Sequence, residues 1–355
     1  VYHVLESGEL GMQIQVKPDS GSSLDSSEAM SAERFSSLKR VTLVAKSGIG
    51  YRQLRESLTP RWGIVWRDLT LGWIALALII FTTTALSHRS LVIAFPTAAI
   101  GAVLTGFTIA YLMLFMHEAA HSNIHPDPWW NDLLCNIFVS GIVAMDVQSY
   151  RQVHWSHHAH FGGPMDTEIS YRDPLNLRFL IESLLGVRAL KVVLLRKKLQ
   201  RGDAAKQAKS RSKTGFFVLL GGIVFNALCL AVLLHMHAWA AIFSWICGVL
   251  VFFPFFGALR QLLEHRGELP GPAGTRADVI CFATNRIFGD GILASTLGAA
   301  GFNRHLLHHW DPRVSYTNLR ELENFLLETY AGVWLREQRT TYWRTFRNLY
   351  AHIDG

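Results

Sequence analysis

The stretch from Leu91 to His121 reads LVIAFPTAAIGAVLTGFTIAYLMLFMHEAAH. Its first part, Leu91 to Met116, carries no charged side chain and is long enough to cross a hydrocarbon core, which takes about 20 helical residues. Its last turn places His117 and His121 four positions apart, on one face of a helix. A span that ends in paired imidazoles directs attention to two features of the remaining chain: further spans, and further histidines.

Three more apolar segments occur, at about 69–86, 214–234 and 238–259. With 91–116 they pair into two hairpins, turning at Ser87–Ser90 and at His235–His237. The expected fold is an all-α integral membrane protein. Four transmembrane helices form two hairpins, and a cytoplasmic helical cap holds a histidine-rich two-metal site. Composition agrees: half of the 355 residues are hydrophobic, 17% are charged, and the mean hydropathy is +0.20. A buried soluble helix is the bland alternative for any one segment, but four uncharged runs of this length argue against it.

Charge orients the hairpins. The formal net charge is +7, and thirteen Lys or Arg lie between Arg151 and Lys213, against Arg89 alone in the outer turns. The positive-inside rule then puts both termini, the long middle region and the active site in the cytoplasm. This also accounts for the basic balance without nucleic acid, and the run Lys191 to Lys213 reads as a solvated, membrane-hugging surface. Residues 1–48 are polar and aperiodic, as in Pro18 to Ser27, and read as a weakly ordered cytoplasmic N-terminus without a secretory signal. Residues 49–355 read as the membrane domain. Within it, Tyr51 to Asp68 suits an interfacial helix anchored by Trp62 and Trp66. Asn131 to Asp146 is too short and interrupted to span, and reads as re-entrant or interfacial. Cys135, Cys229, Cys247 and Cys281 are far apart, which excludes a disulfide framework, a zinc ribbon or a fused rubredoxin.

The histidines fall into three clusters: HEAAH (His117, His121), HWSHH (His154, His157, His158) and HLLHH (His305, His308, His309). Each lies at or beyond the end of a span on the same expected side of the membrane, as a shared site requires. A ninth candidate, His265, follows the fourth span beside Glu264. His125 and His160 lie near clusters but outside the spacing. His3, His88, His235, His237 and His352 read as surface or interface residues. Imidazole suits zinc, copper, iron and nickel alike. Nine imidazoles exceed the needs of one ion and match two ions with four or five each. Neutral ligands leave both ions' charge uncompensated, which favours anionic oxygen species between them, and two redox-active irons with dioxygen as co-substrate fit this. Glu118, Glu264, Asp166 and Asp311 are candidate carboxylates for orienting imidazoles.

The ordered set HEAAH, HWSHH, HLLHH resembles the three histidine boxes of the membrane fatty acid desaturases and related lipid hydroxylases. Thirty-two residues separate His121 from His154, and a helical hairpin precedes the last box. Glu264-His265 is similar to that family's additional ligand, and Asn303 to its approach to the third box. The resemblance covers about residues 60–330. It implies a di-iron oxidoreductase in which reduced iron binds dioxygen and an activated oxygen removes hydrogen from an unactivated carbon. A second hydrogen loss desaturates a fatty acyl or lipid chain, whereas oxygen rebound hydroxylates it. The chemistry sits at the metals, with no side chain needed as acid or base. The expected partners are a lipid substrate, the membrane and a separate ferredoxin-like electron donor, because the chain has no haem domain, dinucleotide fingerprint or clustered cysteines. The departure is Glu118, where many acyl-lipid desaturases carry Asp. HEAAH also satisfies the HExxH pattern of zinc proteases, a reading that leaves seven histidines unexplained. A histidine-rich transporter would need polar ligands inside the spans, where the second and third carry little beyond Asn226.

Overall fold

The computed structural model describes residues 38–163, 165–168, 170–188, 190, 191, 194, 213–267 and 283–351. Among them the regular structure is helical, with three isolated β-bridges and no strand. Four helices are long and apolar enough to cross a membrane, at Trp62–Ser87, Leu91–Ala120, Thr214–His235 and Trp239–His265. This is the architecture of a multi-pass membrane protein. Large apolar side chains such as Phe81 and Val92, 72% and 84% exposed, face outward on these helices, as lipid-facing positions require.

In chain order, α1 is Tyr51–Ser57, α2 Trp62–Ser87, α3 Leu91–Ala120, α4 Pro128–Phe138 and α5 Val147–His160. The expected interfacial helix over Tyr51 to Asp68 is therefore two pieces. It breaks at Leu58–Arg61, and Trp62 begins the first span rather than anchoring a separate element. Arg67 and Asp68, which end the apolar run in the sequence, stay helical because Asp68 is held by Arg67 at 2.7 Å and by the Tyr316 hydroxyl at 2.9 Å. Asp127 caps α4 by accepting from the amides of Trp129 and Trp130, with Pro128 at the first helical position. Asp146 caps α5 by accepting from the Ser149 amide at 2.8 Å. This second cap sets where the helix that carries HWSHH begins.

Continuing, α6 is Leu177–Leu184, α7 Lys213–His235, α8 Trp239–Cys247 and α9 Phe253–His265. A wide π-type turn, Gly248–Phe252, joins α8 to α9. It packs on α3 where side chains are smallest: a Cβ on Gly106 would sit 2.3 Å from Phe252 Cβ, and one on Gly248 would sit 2.5 Å from Thr105. The two hairpin turns lie side by side, since the Ala240 amide donates to Ser87 Oγ at 3.1 Å. The histidine-bearing ends of α3 and α9 are then at the opposite end of the bundle.

The last elements are α10 Ile292–Leu297, α11 His305–Trp310, α12 Leu319–Leu327, α13 Gly332–Glu337 and α14 Tyr342–Ala351. They form the cap. Its apolar core includes Leu307, Trp310, Leu322, Phe325 and Leu326, and it also takes in Leu43, Ala45 and Tyr51. Residues 38–48, grouped in the sequence with the weakly ordered N-terminus, therefore belong to the folded cap. Leu43 is fully buried there, which a purely compositional reading of the neighbouring polar residues misses. Residues 1–37, most of the basic run between Lys191 and Lys213, Cys281, His3 and His352 lie outside the described residues.

Candidate metal centre

Four elements deliver the nine candidate histidines to one place. His117 and His121 come from the end of α3, His154, His157 and His158 from α5, His265 from the last residue of α9, and His305, His308 and His309 from α11. They sort into a group of five, His117, His121, His154, His158 and His308. Beside it, His157, His265 and His309 form one cluster and Glu264, His265 and His305 another. Within each cluster the potential ligand atoms lie within 4.8 Å of one another. His265 belongs to both smaller clusters, so together they make a second group.

The ring nitrogens converge. His154 Nε2 lies 3.0 Å from both His121 Nε2 and His158 Nε2, and His158 Nε2 lies 3.1 Å from His308 Nε2. In the second group His305 Nε2 and His265 Nε2 are 3.1 Å apart. The outer nitrogens explain which atoms face inward. His154 Nδ1 meets Glu168 at 3.1 Å, His157 Nδ1 meets Asp166 at 2.7 Å, and His265 Nδ1 meets Asn285 Oδ1 at 2.9 Å. A neutral imidazole has one N–H and one lone pair. With their N–H groups donated outward, His154, His157 and His265 turn Nε2 lone pairs into the cluster, as metal ligation requires. His117 Nε2 and His309 Nε2 are buried with no hydrogen-bond partner, a costly state unless they too bind something.

This all-imidazole donor set fits a first-row metal ion: nitrogens about 2.1 Å from one ion lie about 3.0–3.4 Å apart, and the closest ring nitrogens here are 3.0–3.1 Å apart.

The candidate carboxylates divide. Asp166 does hold an imidazole, that of His157, and is itself fixed by the Tyr171 hydroxyl and the Gly162 and Glu168 amides. Glu264 is buried against the second group, 3.9 Å from His305 Nε2. Glu118 accepts from the Asn123 side chain at 3.2 Å and the Tyr316 amide at 3.3 Å, and approaches only its neighbour His117, at 3.5 Å. Committed to those partners, it is not placed to activate a water on a metal shared by His117 and His121. Asp311 touches no histidine: it accepts from the Tyr51 hydroxyl and pairs with Arg55 at 3.5 Å. It fastens α1 to the cap, a correction to the expectation that it orients an imidazole. Glu168 and Asn285 do this work and were missed, because neither stands at a helical spacing from a histidine. His125 is half-buried and His160 exposed, and both lie outside the cluster.

Burial, and then neighbouring imidazoles, hold His305, His308 and His309 well below the ordinary histidine range, and His158 is pushed down to about 2. Glu168 is also held well below the usual carboxylate range: its burial alone would raise it, but His157 and His154 outweigh that. The consequence for stability has a definite sign. Imidazoles with a lowered folded-state pKa bind fewer protons folded than unfolded, so their contribution is complete above about pH 6.5 and declines as pH falls below it. Metal-free protein should therefore melt at progressively lower temperature between pH 7.5 and 5.5, as read by thermal unfolding in detergent. A flat melting temperature across that range would mean the cluster is not buried neutral.

In comparisons with known proteins, a family model described as fatty acid desaturase matches residues 93–341, which include all nine histidines. A comparison with curated proteins returned no match.

Proposed function

Because the chain belongs to the fatty acid desaturase family, we propose that it is an oxygen-dependent di-iron oxidoreductase that desaturates a fatty acyl or lipid chain. The observation that carries the reading is the division of nine buried or half-buried imidazoles into two adjacent groups, within which ring nitrogens approach to 3.0–3.1 Å. One ion would be held by His117, His121, His154, His158 and His308, and the other by His157, His265, His305 and His309, with Glu264 beside it. When bound, two irons supply reductive activation of dioxygen and the capacity to remove hydrogen from an unactivated carbon.

The chain's own residues prepare that centre. Glu168, Asp166 and Asn285 take the outer N–H groups and so hold His154, His157 and His265 with their lone pairs inward. Loss of such a partner weakens metal binding or rate by about 10–100-fold in comparable sites. Phe302 packs on the rings of His117 and His305 at 4.6 and 4.8 Å and keeps water from that side. No side chain is required as an acid or base at the reacting carbon. Positioning of the chain decides between desaturation and hydroxylation on the same scaffold. The electron donor is read as a separate ferredoxin-like protein. Both termini and the metal centre are read as cytoplasmic, supported by the concentration of Lys and Arg between Arg151 and Lys213.

The test uses the full chain in lipid nanodiscs. Elemental analysis should find about two irons per chain, as the ligand count implies. With a reduced ferredoxin, oxygen should be consumed, and mass spectrometry of the lipid should show two hydrogens lost. One oxygen gained would assign the hydroxylase instead. One zinc without iron, in protein prepared without chelators, would overturn the reading.

A further inference from the structure

Beneath the metal centre, between α3 and α9, lies an apolar cavity of about 150 Å³. Phe107, Tyr111, Leu114, Phe256 and Leu263 line it, and α10 closes one side through Leu297. Cavities of this size admit a benzene-sized apolar guest, so it holds a short segment of a longer chain, with the remainder emerging between the helices.

One part of the lining is polar. Arg260 and Tyr342 both border the cavity. Tyr342 Oη and Arg260 Nη1 are buried without a hydrogen-bond partner. Tyr342 is well fixed for this position. Its ring stacks on Phe288 at 3.8 Å, and a Cβ on Gly298 would come within 2.5 Å of its hydroxyl, so the glycine makes the room. Arg260 lies over the Phe302 ring at 4.0 Å, and Phe302 in turn packs on His117 and His305. A single ring thus separates Arg260 from the imidazoles. Arg260 Nε pairs with Glu264 at 3.7 Å, but a phenol and the Nη1 of an arginine, which has donors only, cost free energy beside an apolar cavity unless a ligand accepts from them.

We infer that the cavity takes a chain segment bearing an oxygen atom, and that Tyr342 Oη and Arg260 Nη1 donate hydrogen bonds to that oxygen beside the metal centre. The inference rests on reading the centre as the reacting site, and it narrows the substrate. The carbon attacked lies within a few bonds of an oxygen-bearing carbon, not in the middle of a uniform hydrocarbon. Tyr342 and Arg260 are then specificity residues that place one end of the reacting segment.

The experiment measures equilibrium binding of labelled hexadecanol and hexadecane to the full chain in nanodiscs. Tyr342→Phe removes the hydroxyl and keeps the ring. Gly257→Leu projects into the cavity from a position with nothing within 4 Å of its Cβ. The ratio of wild type to variant cancels partitioning into the bilayer. Gly257→Leu should abolish specific binding of both ligands. Tyr342→Phe should weaken hexadecanol about tenfold, the worth of one buried hydrogen bond, and leave hexadecane unchanged. Both ligands bound normally by Gly257→Leu, or equal effects of Tyr342→Phe on both, would overturn the proposal. Iron content of the same preparations separates it from the functional reading. Iron-free protein that keeps the hexadecanol preference refutes only the di-iron assignment. An iron-loaded, oxygen-consuming enzyme without the preference refutes only the oxygen-recognition site.

Discussion

Replacing His265 by alanine should leave a folded protein that keeps about one iron in place of two and turns over lipid more slowly by well beyond the about 10–100-fold typical of losing a supporting partner. His265 ends α9 and stands in both smaller ligand clusters. The group that holds His308 does not include it. His308→Ala should therefore empty the other position, and the two variants should each lose a different iron. Asn285→Ala supplies the scale. Asn285 touches His265 only through Nδ1, at 2.9 Å, so its loss should reduce metal affinity or rate within that 10–100-fold range. Metal analysis and turnover on the same samples decide the matter. A His265→Ala protein with two irons and full turnover would remove His265 from the ligand set.

Glu323→Gln should lower stability by about 3–5 kcal/mol, the usual cost of breaking one side of a buried ion pair. Glu323 is buried and accepts from Arg304 Nε at 2.7 Å and from Arg339. Arg304 is itself buried and immediately precedes His305. The glutamate ties the start of α11 to α12, and Arg339 extends the tie to the segment where Ile287 bridges Arg339. The control is Asp290→Asn. Asp290 also pairs with Arg304 but is half exposed, and solvent-exposed pairs contribute about 0–1 kcal/mol. Thermal unfolding should show a large drop for the first variant and a small one for the second. Equal melting temperatures for Glu323→Gln and wild type would mean that the pair is not what fixes the third histidine cluster.

The four spans were legible because an uncharged run of twenty residues has few other uses. Their ends were not. The helices at Trp62–Ser87 and Trp239–His265 run past the expected 69–86 and 238–259, since partners distant in sequence, such as Tyr316 for Asp68, keep charged residues in the helix. The histidine set was legible from spacing alone, but its division was not. His154 and His158 join one group and His157 the other, while His305 and His309 join one and His308 the other. In each case the residues at i and i+4 stay together and the one at i+3 turns away. Nothing in the spacing predicts this, because it depends on which side of each helix the other box approaches. Glu168 and Asn285 could be found only once folding brought them to the rings, and Asp311, expected at an imidazole, is drawn instead to Tyr51 and Arg55, distant in sequence.

The wide turn at Gly248–Phe252 has the effect of a frame shift within one helix. Ala240, Ala241 and Ser244 on α8, and Gly248 at the start of the turn, face the bundle. Phe252 in the turn packs on Gly106 of α3; beyond it Phe253, Phe256, Leu259, Arg260 and Leu263 line the cavity, and Glu264 and His265 reach the metal centre. Each residue gained or lost rotates everything downstream by about 100°. The segment is thus a place where length, independent of side-chain identity, determines what faces the candidate metal centre. Single-residue deletions scanned through 248–252 would swing Arg260, Glu264 and His265 off the site together, while leaving every one of those residues in the sequence.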